Sequence, residues 1–375
     1  MRVCLLVPVL DAFKGANHLP LLAAMPDMEF TLLCNRMKPV ISDFPKNVRC
    51  ETLNARLGPY YYGCSDFLFA RAVIKEYPPS SSFWKQFDVI HINQAMGPAL
   101  LQLRSTGVPI LFLIHHPASA DRAVAVEESS FLQGLRWRLR YALLCRWQRR
   151  FCHALPNVVT VSHTSADRIA SDYGCDRAKI HVMPNGIDGA VFQPGDLASS
   201  DADVIAVGSF LHPRKGFPYL AEAYREFSRH GLRIADVGKR SEAQRNILSS
   251  IPGVRIFGTV GQQQLHTLIA RSSTLISTSL YEGFGLSLIE ALACGRPAFA
   301  FNGGAVGEVL GAVDSGLVVP LRDTKELVRR VSAFIRLPVL ERRRKGEGYR
   351  ETVLRLYPLR TSAEALREVY GRLAA

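Results

Sequence analysis

The sequence predicts an α/β chain built as two doubly wound parallel sheets, and three observations carry this. Short apolar runs alternate with helical segments from residue 2 to 174, the pattern of parallel strands joined by crossover helices. The alternation restarts at 204, after the polar stretch 194–203. At 273–295, STLISTSLYEGFGLSLIEALACG, an apolar strand feeds a glycine-bearing turn and then a helix. Free N–H groups and the helix dipole converge at such a turn, which makes it an anion site.

A length of 375 residues suits two domains, each able to bury a core of good size. Residues 1–190 are expected to form the first domain and 191–360 the second, with a last helix over 361–375 that can pack back on the first. Hydrophobic residues at 48% and charged residues at 21% are those of a folded globular protein. The opening run MRVCLLVPVL is short and broken by Pro8, so it reads as a core strand rather than a signal peptide. No run of about 18 apolar residues is present to span a bilayer. The 8 cysteines show no CxxC or Cys/His zinc spacing. A reduced, cytoplasmic setting without a structural metal is therefore expected. The net charge of +13 points to anionic partners.

Residues 2–10 read as a buried strand, followed by a loop through Lys14 and Gly15 and a helix over 19–24. A loop at the carboxyl end of a first parallel strand is where open α/β sheets bind ligands. Gly15 stands without a GxGxxG fingerprint, which argues against a nicotinamide or flavin dehydrogenase. Strands follow at 28–34, 88–93 and 109–114, the last running into His115-His116-Pro117. His115 is a candidate polar contact at the ligand edge, or a structural histidine at a strand end. Residues 158–174 give a strand, a cap at Ser162 and a helix stopped by Gly174; Pro184-Asn185-Gly186 is a strong turn and a hinge candidate.

The stretch 134–153 carries Arg136, Arg138, Arg140, Arg146, Arg149 and Arg150 without one acid, and Trp137, Leu139, Leu143, Leu144 and Trp147 partly at helical spacing. Two readings stay open. One is an in-plane helix contacting an anionic membrane, on the inner face of the cell membrane. The other is a helix packed on the sheet with a solvated basic face.

In the second set, strands are expected at 204–210, 233–238, 254–260, 297–302 and 316–321, with a helix from 217 to about 230. Arg214 and Lys215 follow the first of these strands, at the carboxyl edge of the sheet, where two cations favour a diphosphate. Glu282 precedes the helix of the opening motif and Glu290 lies inside it. At about 1.5 Å rise per residue they stand roughly 12 Å apart or less. That suits an extended ligand with hydroxyls at both ends and phosphate between.

Together these motifs resemble the retaining glycosyltransferases of family 4, the "group 1" set with the GT-B fold. The resemblance rests on Glu282-Gly283-Phe284-Gly285 through Glu290-Ala291, then Ala293-Cys294-Gly295-Arg296-Pro297. It rests also on Pro184-Asn185-Gly186-Ile187-Asp188 with Phe192 and Pro194, on Gly208 with Arg214-Lys215-Gly216, and on Gly303-Gly304 with Glu308. It runs from about residue 2 to 320 in the family's order. It implies two Rossmann-like domains facing a central cleft, the first binding acceptor and the second a UDP- or GDP-linked sugar as co-substrate. The activity implied is a retaining, metal-independent hexosyl transfer to a saccharide or lipid-linked glycan, with no cofactor and no nucleic-acid partner.

The resemblance also implies roles. Glu282 would bind hydroxyls of the donor sugar, and Glu290 the ribose. Backbone N–H groups along Gly283, Phe284, Gly285 and Leu286, with Lys215, would hold the diphosphate and neutralise the leaving group. Gly15 and its neighbours would close over the phosphates, and His115 would lie near the reacting centre. Where many members carry Gly-Arg this chain has Gly208-Ser209, with Arg214 the candidate substitute. Paired glycines of the first loop are replaced by Lys14-Gly15-Ala16, and Lys14 is the candidate for the missing positive charge. Competing readings are an epimerase or phosphorylase on the same fold, a metal-dependent transferase using Asp201-Ala202-Asp203, and a basic membrane-surface or nucleic-acid-binding protein.

Overall fold

The computed structural model describes residues 1–11, 19–38, 44–53, 64–94, 97–196 and 200–375. Lys14 and Gly15 lie outside the described residues. The chain divides into two compact units: Met1–Val126 with Ser130–Gly186 and Leu359–Ala375, and Ile187–Pro358 with Glu127–Ser129.

In the first unit the strands are β1 (Arg2–Asp11), β2 (Glu29–Lys38), β3 (Val48–Thr52), β4 (Val89–Asn93), β5 (Ile110–Ile114), β6 (Asn157–Thr160) and β7 (Ile180–Val182). Its helices are α1 (Leu19–Ala23), α2 (Cys64–Glu76), α3 (Ala118–Glu127), α4 (Phe131–Ala154) and α5 (His163–Tyr173). The strands form one parallel sheet in the order β3-β2-β1-β4-β5-β6-β7. Strand alternation sends Cys4 and Leu6 to one face and Val3, Leu5 and Val7 to the other, each into its own core. β4 and β5 are buried at every position; β5 therefore reads as an unbroken apolar run, whereas β4 also buries His91 and Asn93.

The second unit carries β8 (Ala202–Val207), β9 (Ile234–Val237), β10 (Val254–Gly258), β11 (Ser272–Ser277), β12 (Ala298–Phe301) and β13 (Val318–Val319). These too are parallel, in the order β10-β9-β8-β11-β12-β13. The helices are α6 (Phe217–Arg229), α7 (Glu242–Ser249), α8 (Gln262–Ala270), α9 (Leu286–Ala293), α10 (Val306–Gly311), α11 (Thr324–Arg336) and α12 (Val339–Leu356). The last two of these helices are divided where Pro338 removes a backbone donor. Both sheets reverse strand order beside their first strand, at β1/β4 and at β8/β11, and such switch points are where open α/β sheets bind ligands.

The final helix, α13 (Leu359–Ala374), belongs to the first unit. It buries Ala363, Leu366, Val369 and Tyr370 against β1, β2 and β4. Tyr370 Oη lies 2.6 Å from Nδ1 of His91, a histidine inside β4. Burial, and then the neighbouring His115, pushes His91 down to about 3, so the pair is a neutral hydrogen bond. Ser362 Oγ donates to the carbonyl of Pro184 at 2.6 Å, tying the Pro184-Asn185-Gly186 turn to this helix.

Three differences from the sequence reading concern extent. β2 runs to Lys38, past the apolar stretch, because β1 continues beside it to Asp11. β3 has no apolar run: only Val48 of its five residues is buried, since it is an edge strand. The final helix starts at Leu359, directly after Pro358.

Candidate functional site

The switch point of the second sheet is built from the two loops that leave its central strands. The loop after β8 passes through His212 to Gly216, where His212 caps a short turn by accepting from the Arg214 N–H. The loop after β11 runs from Thr278 to Gly285. Backbone and side chains join the two: Leu280 N–H donates to the Arg214 carbonyl at 2.7 Å, and Thr278 Oγ1 reaches the carbonyls of Lys215 and Gly216 at 3.2 and 3.1 Å. The approach is so close at Gly216 that a Cβ there would stand 2.1 Å from the Thr278 carbonyl oxygen. Only glycine fits, which accounts for the Lys215-Gly216 pair.

This junction brings Lys215 to Glu282. Lys215 Nζ donates to Glu282 Oε1 at 2.5 Å, and Arg214 Nη1 lies 3.6 Å from Glu282 Oε2 while donating to the Tyr281 carbonyl at 3.1 Å. All three side chains are mostly buried. Burial alone would raise the Glu282 carboxyl; Lys215, then Arg214, then hydrogen bonds from Lys215 and Ser279 outweigh it and bring it to about 2. Behind Glu282, its N–H donates to Gly303 O and its carbonyl accepts from Ala305 N–H at 2.8 Å. A Cβ on Gly304 would meet the Glu282 carbonyl oxygen at 2.3 Å, and Gly304 has a φ of 63°. The Gly303-Gly304 pair therefore lets a second strand end press against Glu282.

α9 starts directly after this loop with Gly285 as N-cap, and no side chain caps it. Its first-turn N–H groups and dipole are presented beside two cations. Phe284 is held edge-on to Tyr357, ring centroids 5.3 Å apart. At the other end of α9, Arg350 donates to the carbonyls of Ala293 and Phe192, a cation on a helix C-terminus. Glu290, on the second turn, is partly buried, and among the described residues no side chain pairs with it. Burial pushes its carboxyl up to about 7. Two glutamates eight positions apart thus sit in opposite electrostatic settings.

The place of Gly208-Ser209 is also defined. The Gly208 carbonyl accepts from Arg240 Nη1 at 2.6 Å, and the Arg240 guanidinium lies 4.4 Å from the centre of the Phe210 ring. Arg240 is itself buried and bonded to Asp236, which also accepts from Tyr224 at 3.0 Å. An arginine does serve this loop, but as a buried brace. Sequence reasoning missed this trio; the available signal was an aspartate at the centre of the apolar strand RIADVG.

His115 lies in the first unit, at the carboxyl end of β5. Its Nε2 is 2.9 Å from Asn93 Oδ1, and its N–H donates to Gln94 Oε1 at 3.0 Å. Gln94 holds a φ of 49°, unusual for a residue other than glycine. Burial, and then His116, lowers His115 to about 4, so it is neutral at pH 7. His116 is 3.0 Å from Asp121. Asn93 and Gln94 are further residues that the sequence alone did not single out. Thus Arg214, Lys215, Glu282, Gly283, Phe284, Gly285, Leu286 and Glu290 come together in the second unit, while His115 stands in the first. Among the described residues no three His, Cys, Asp or Glu side chains gather as metal ligands.

Comparison with known proteins bears on this arrangement. Residues 24–190 match the family described as Glycosyltransferase Family 4, and 201–336 match Glycosyl transferases group 1. The chain is 30% identical over 313 residues to the MMP alpha-(1->4)-mannosyltransferase of Mycolicibacterium hassiacum, covering 77% of this chain and 71% of the relative. The chain belongs to the family 4, or group 1, glycosyltransferases. Its fold is GT-B. Sucrose-phosphate synthase from Thermosynechococcus elongatus superposes with a TM-score of 0.77 at 18% identity, over 99% of this chain and 98% of that one. HepE from Anabaena, in complex with UDP and glucose, gives 0.72 at 16% identity, over 99% and 100%. The glutamate pair, the Lys215 loop and the Gly303-Gly304 contact therefore belong to a glycosyltransferase.

Proposed function

We propose that this glycosyltransferase moves a hexose from a UDP- or GDP-linked donor to a hydroxyl of a saccharide or lipid-linked glycan, with retention and without metal. The observation that carries the reading is the Lys215–Glu282 pair beside the uncapped start of α9, with the unpaired Glu290 along the same helix. Glu282, ionised and fixed at both backbone ends, accepts hydrogen bonds from donor-sugar hydroxyls. Glu290 accepts from the ribose. The diphosphate takes the N–H groups along Gly283, Phe284, Gly285 and Leu286 together with Arg214 and Lys215. Negative charge grows on the departing phosphate oxygen, so cations and oriented N–H groups placed there lower the barrier. On family resemblance the neutral imidazole of His115 is assigned to the sugar, and Lys14 and Gly15 to the phosphates. No side chain is assigned as a general base, since the leaving phosphate can take the acceptor proton on the face it departs from. The mannosyltransferase relative and the UDP-and-glucose complex of HepE support a nucleotide-linked hexose donor.

The reading extends to a peripheral membrane contact through 134–153, at the cytoplasmic face. α4 buries Tyr141, Cys145, Gln148, Phe151 and Cys152. On its other side Phe131 is 86% exposed, Leu132 70% and Leu139 68%, with Leu135 and Leu143 also open. Phe131, Leu135, Leu139 and Leu143 recur every four residues and are flanked by arginines, the pattern of an interfacial helix. No helix among the described residues is long and apolar enough to cross a membrane.

The test is release of free nucleoside diphosphate from a panel of donors, with and without glycan acceptors and with a chelator present. Acceptor-dependent release that survives the chelator, with the donor's anomeric configuration kept in the product, is expected. Release without acceptor, or epimerised donor, would remove the transferase reading.

A further inference from the structure

Outside the donor site, the first unit holds a cavity of about 390 Å³ bounded by α3, α4 and α5. Ser119 and Arg122 come from α3, Arg146 and Arg149 from α4, and Arg168 and Asp172 from α5. The one carboxylate is engaged: Arg168 Nε lies 2.6 Å from Asp172 Oδ2. Among the described residues, Arg122, Arg146 and Arg149 have no ion-pair partner. Three uncompensated guanidiniums around one cavity repel each other unless an anion joins them.

The cavity wall is well held. Ser119, on that wall, is 6% exposed, and Tyr173 hydrogen-bonds both its backbone and its side chain. Its surroundings are fixed: the Ser119 N–H lies 3.2 Å from Tyr173 Oη, and Tyr173 and the Ala118 N–H both donate to the buried Gln148 Oε1. Gln148 shares α4 with Arg146 and Arg149, so the helix that carries the arginines is locked to the start of α3.

We propose that this cavity binds a phosphate-bearing group, a phosphomonoester or diphosphate. Planar guanidiniums on three helices match the several oxygens of such a group. The volume exceeds that of one phosphate and lies in the range of small-ligand sites, leaving room for what the phosphate is attached to. The lining of this site shares no residue with α9, and the proposal does not rest on the donor assignment. The phosphate can come from a soluble compound or from a lipid headgroup in the surface that α4 faces.

Direct binding of pyrophosphate, and cosedimentation with phosphatidylcholine vesicles containing phosphatidic acid, separate the two sources. The double variant Arg146→Gln/Arg149→Gln is compared with Arg71→Gln/Lys75→Gln, which removes the same charge from exposed positions of α2, outside the cavity and outside α4. The first should weaken one of the two ligands at least tenfold while the second changes it less than threefold. Loss of pyrophosphate identifies a soluble ligand, and loss of phosphatidate vesicles alone identifies a lipid one. Equal losses in both double variants would mean a diffuse basic surface and overturn the proposal. So would unchanged binding in the first variant, or no binding of either probe by the wild-type chain.

Discussion

Lys215 Nζ lies 2.5 Å from Glu282 Oε1, each residue held by backbone bonds on the loop that leaves its own strand. The pair couples the loops after β8 and β11 at the switch point of the second sheet. Its charge state should be visible in acid stability. The folded-state value of Glu282, about 2, lies below its ordinary 4.5. The stabilisation is therefore complete above about pH 4.5 and is lost as pH falls from there toward 2, on the order of 3 kcal/mol. Glu282→Gln should flatten the acid limb of a melting-temperature profile. Lys215→Ala, which strands a buried carboxylate, should destabilise by about 3 kcal/mol at pH 7. Coincident acid limbs in wild type and Glu282→Gln would contradict this.

Glu290 predicts the opposite slope. Burial raises its carboxyl to about 7 from 4.5, so between these values the folded state holds more protons than the unfolded one. Stability falls as pH rises through that window, by about 1–3 kcal/mol after allowance for partial exposure. Glu290→Gln should be more stable than wild type at pH 8 and equal to it near pH 4. The ratio is read from urea unfolding at the two pH values.

Gly304→Ala would drive a Cβ to 2.3 Å from the Glu282 carbonyl oxygen at a φ of 63°. A loss of about 2–4 kcal/mol is expected, with loss of activity, because the strain falls on the residue assigned to the sugar. Gly348→Ala is the control. A Cβ there meets nothing within 4 Å on α12, so it should be neutral or slightly stabilising. Calorimetry of the two variants decides the point.

Much of this architecture was legible because buried parallel strands and crossover helices leave a periodicity that one chain displays by itself. The strand–turn–helix at 273–295 was readable for that reason, and so were the Ser162 cap and Gly174 stop of α5. What escaped depends on partners distant in sequence. β3 exists because β2 offers it an edge, and its own residues are mostly exposed. His91 looks like a polar fault in an apolar strand until Tyr370 arrives from the last helix. The apolar set of α4 was visible, but not its partition: Trp137, Leu144 and Trp147 pack on the core while Leu139 and Leu143 stay exposed. α4 packs on the core of the first unit, as one of its two readings has it, and the open leucines lie on its other side. At the site, spacing gave Glu282 and Glu290, whereas their opposite charge settings come from Lys215, far away in sequence, and from burial.

The exposed side of α4 yields a separate expectation. Leu135→Ser with Leu139→Ser removes apolar area that is about half or more exposed, so stability should change by less than about 1 kcal/mol. Partition onto vesicles containing anionic lipid should fall at least tenfold. Equal partition of the variant and wild type would contradict membrane contact through this helix.

The central claim is that α9, with Glu290 on it and Glu282 in the loop before it, holds a nucleoside-diphosphate sugar. Its most direct measurement is the melting temperature of wild type and Glu290→Ala across a panel of UDP- and GDP-linked sugars. A ligand at 100 times its Kd stabilises by about 2.7 kcal/mol. At least one nucleotide sugar should raise the wild-type melting temperature, and Glu290→Ala should lose most of that rise. A wild-type protein unmoved by every nucleotide sugar, or a Glu290→Ala variant with the full shift, would contradict the account.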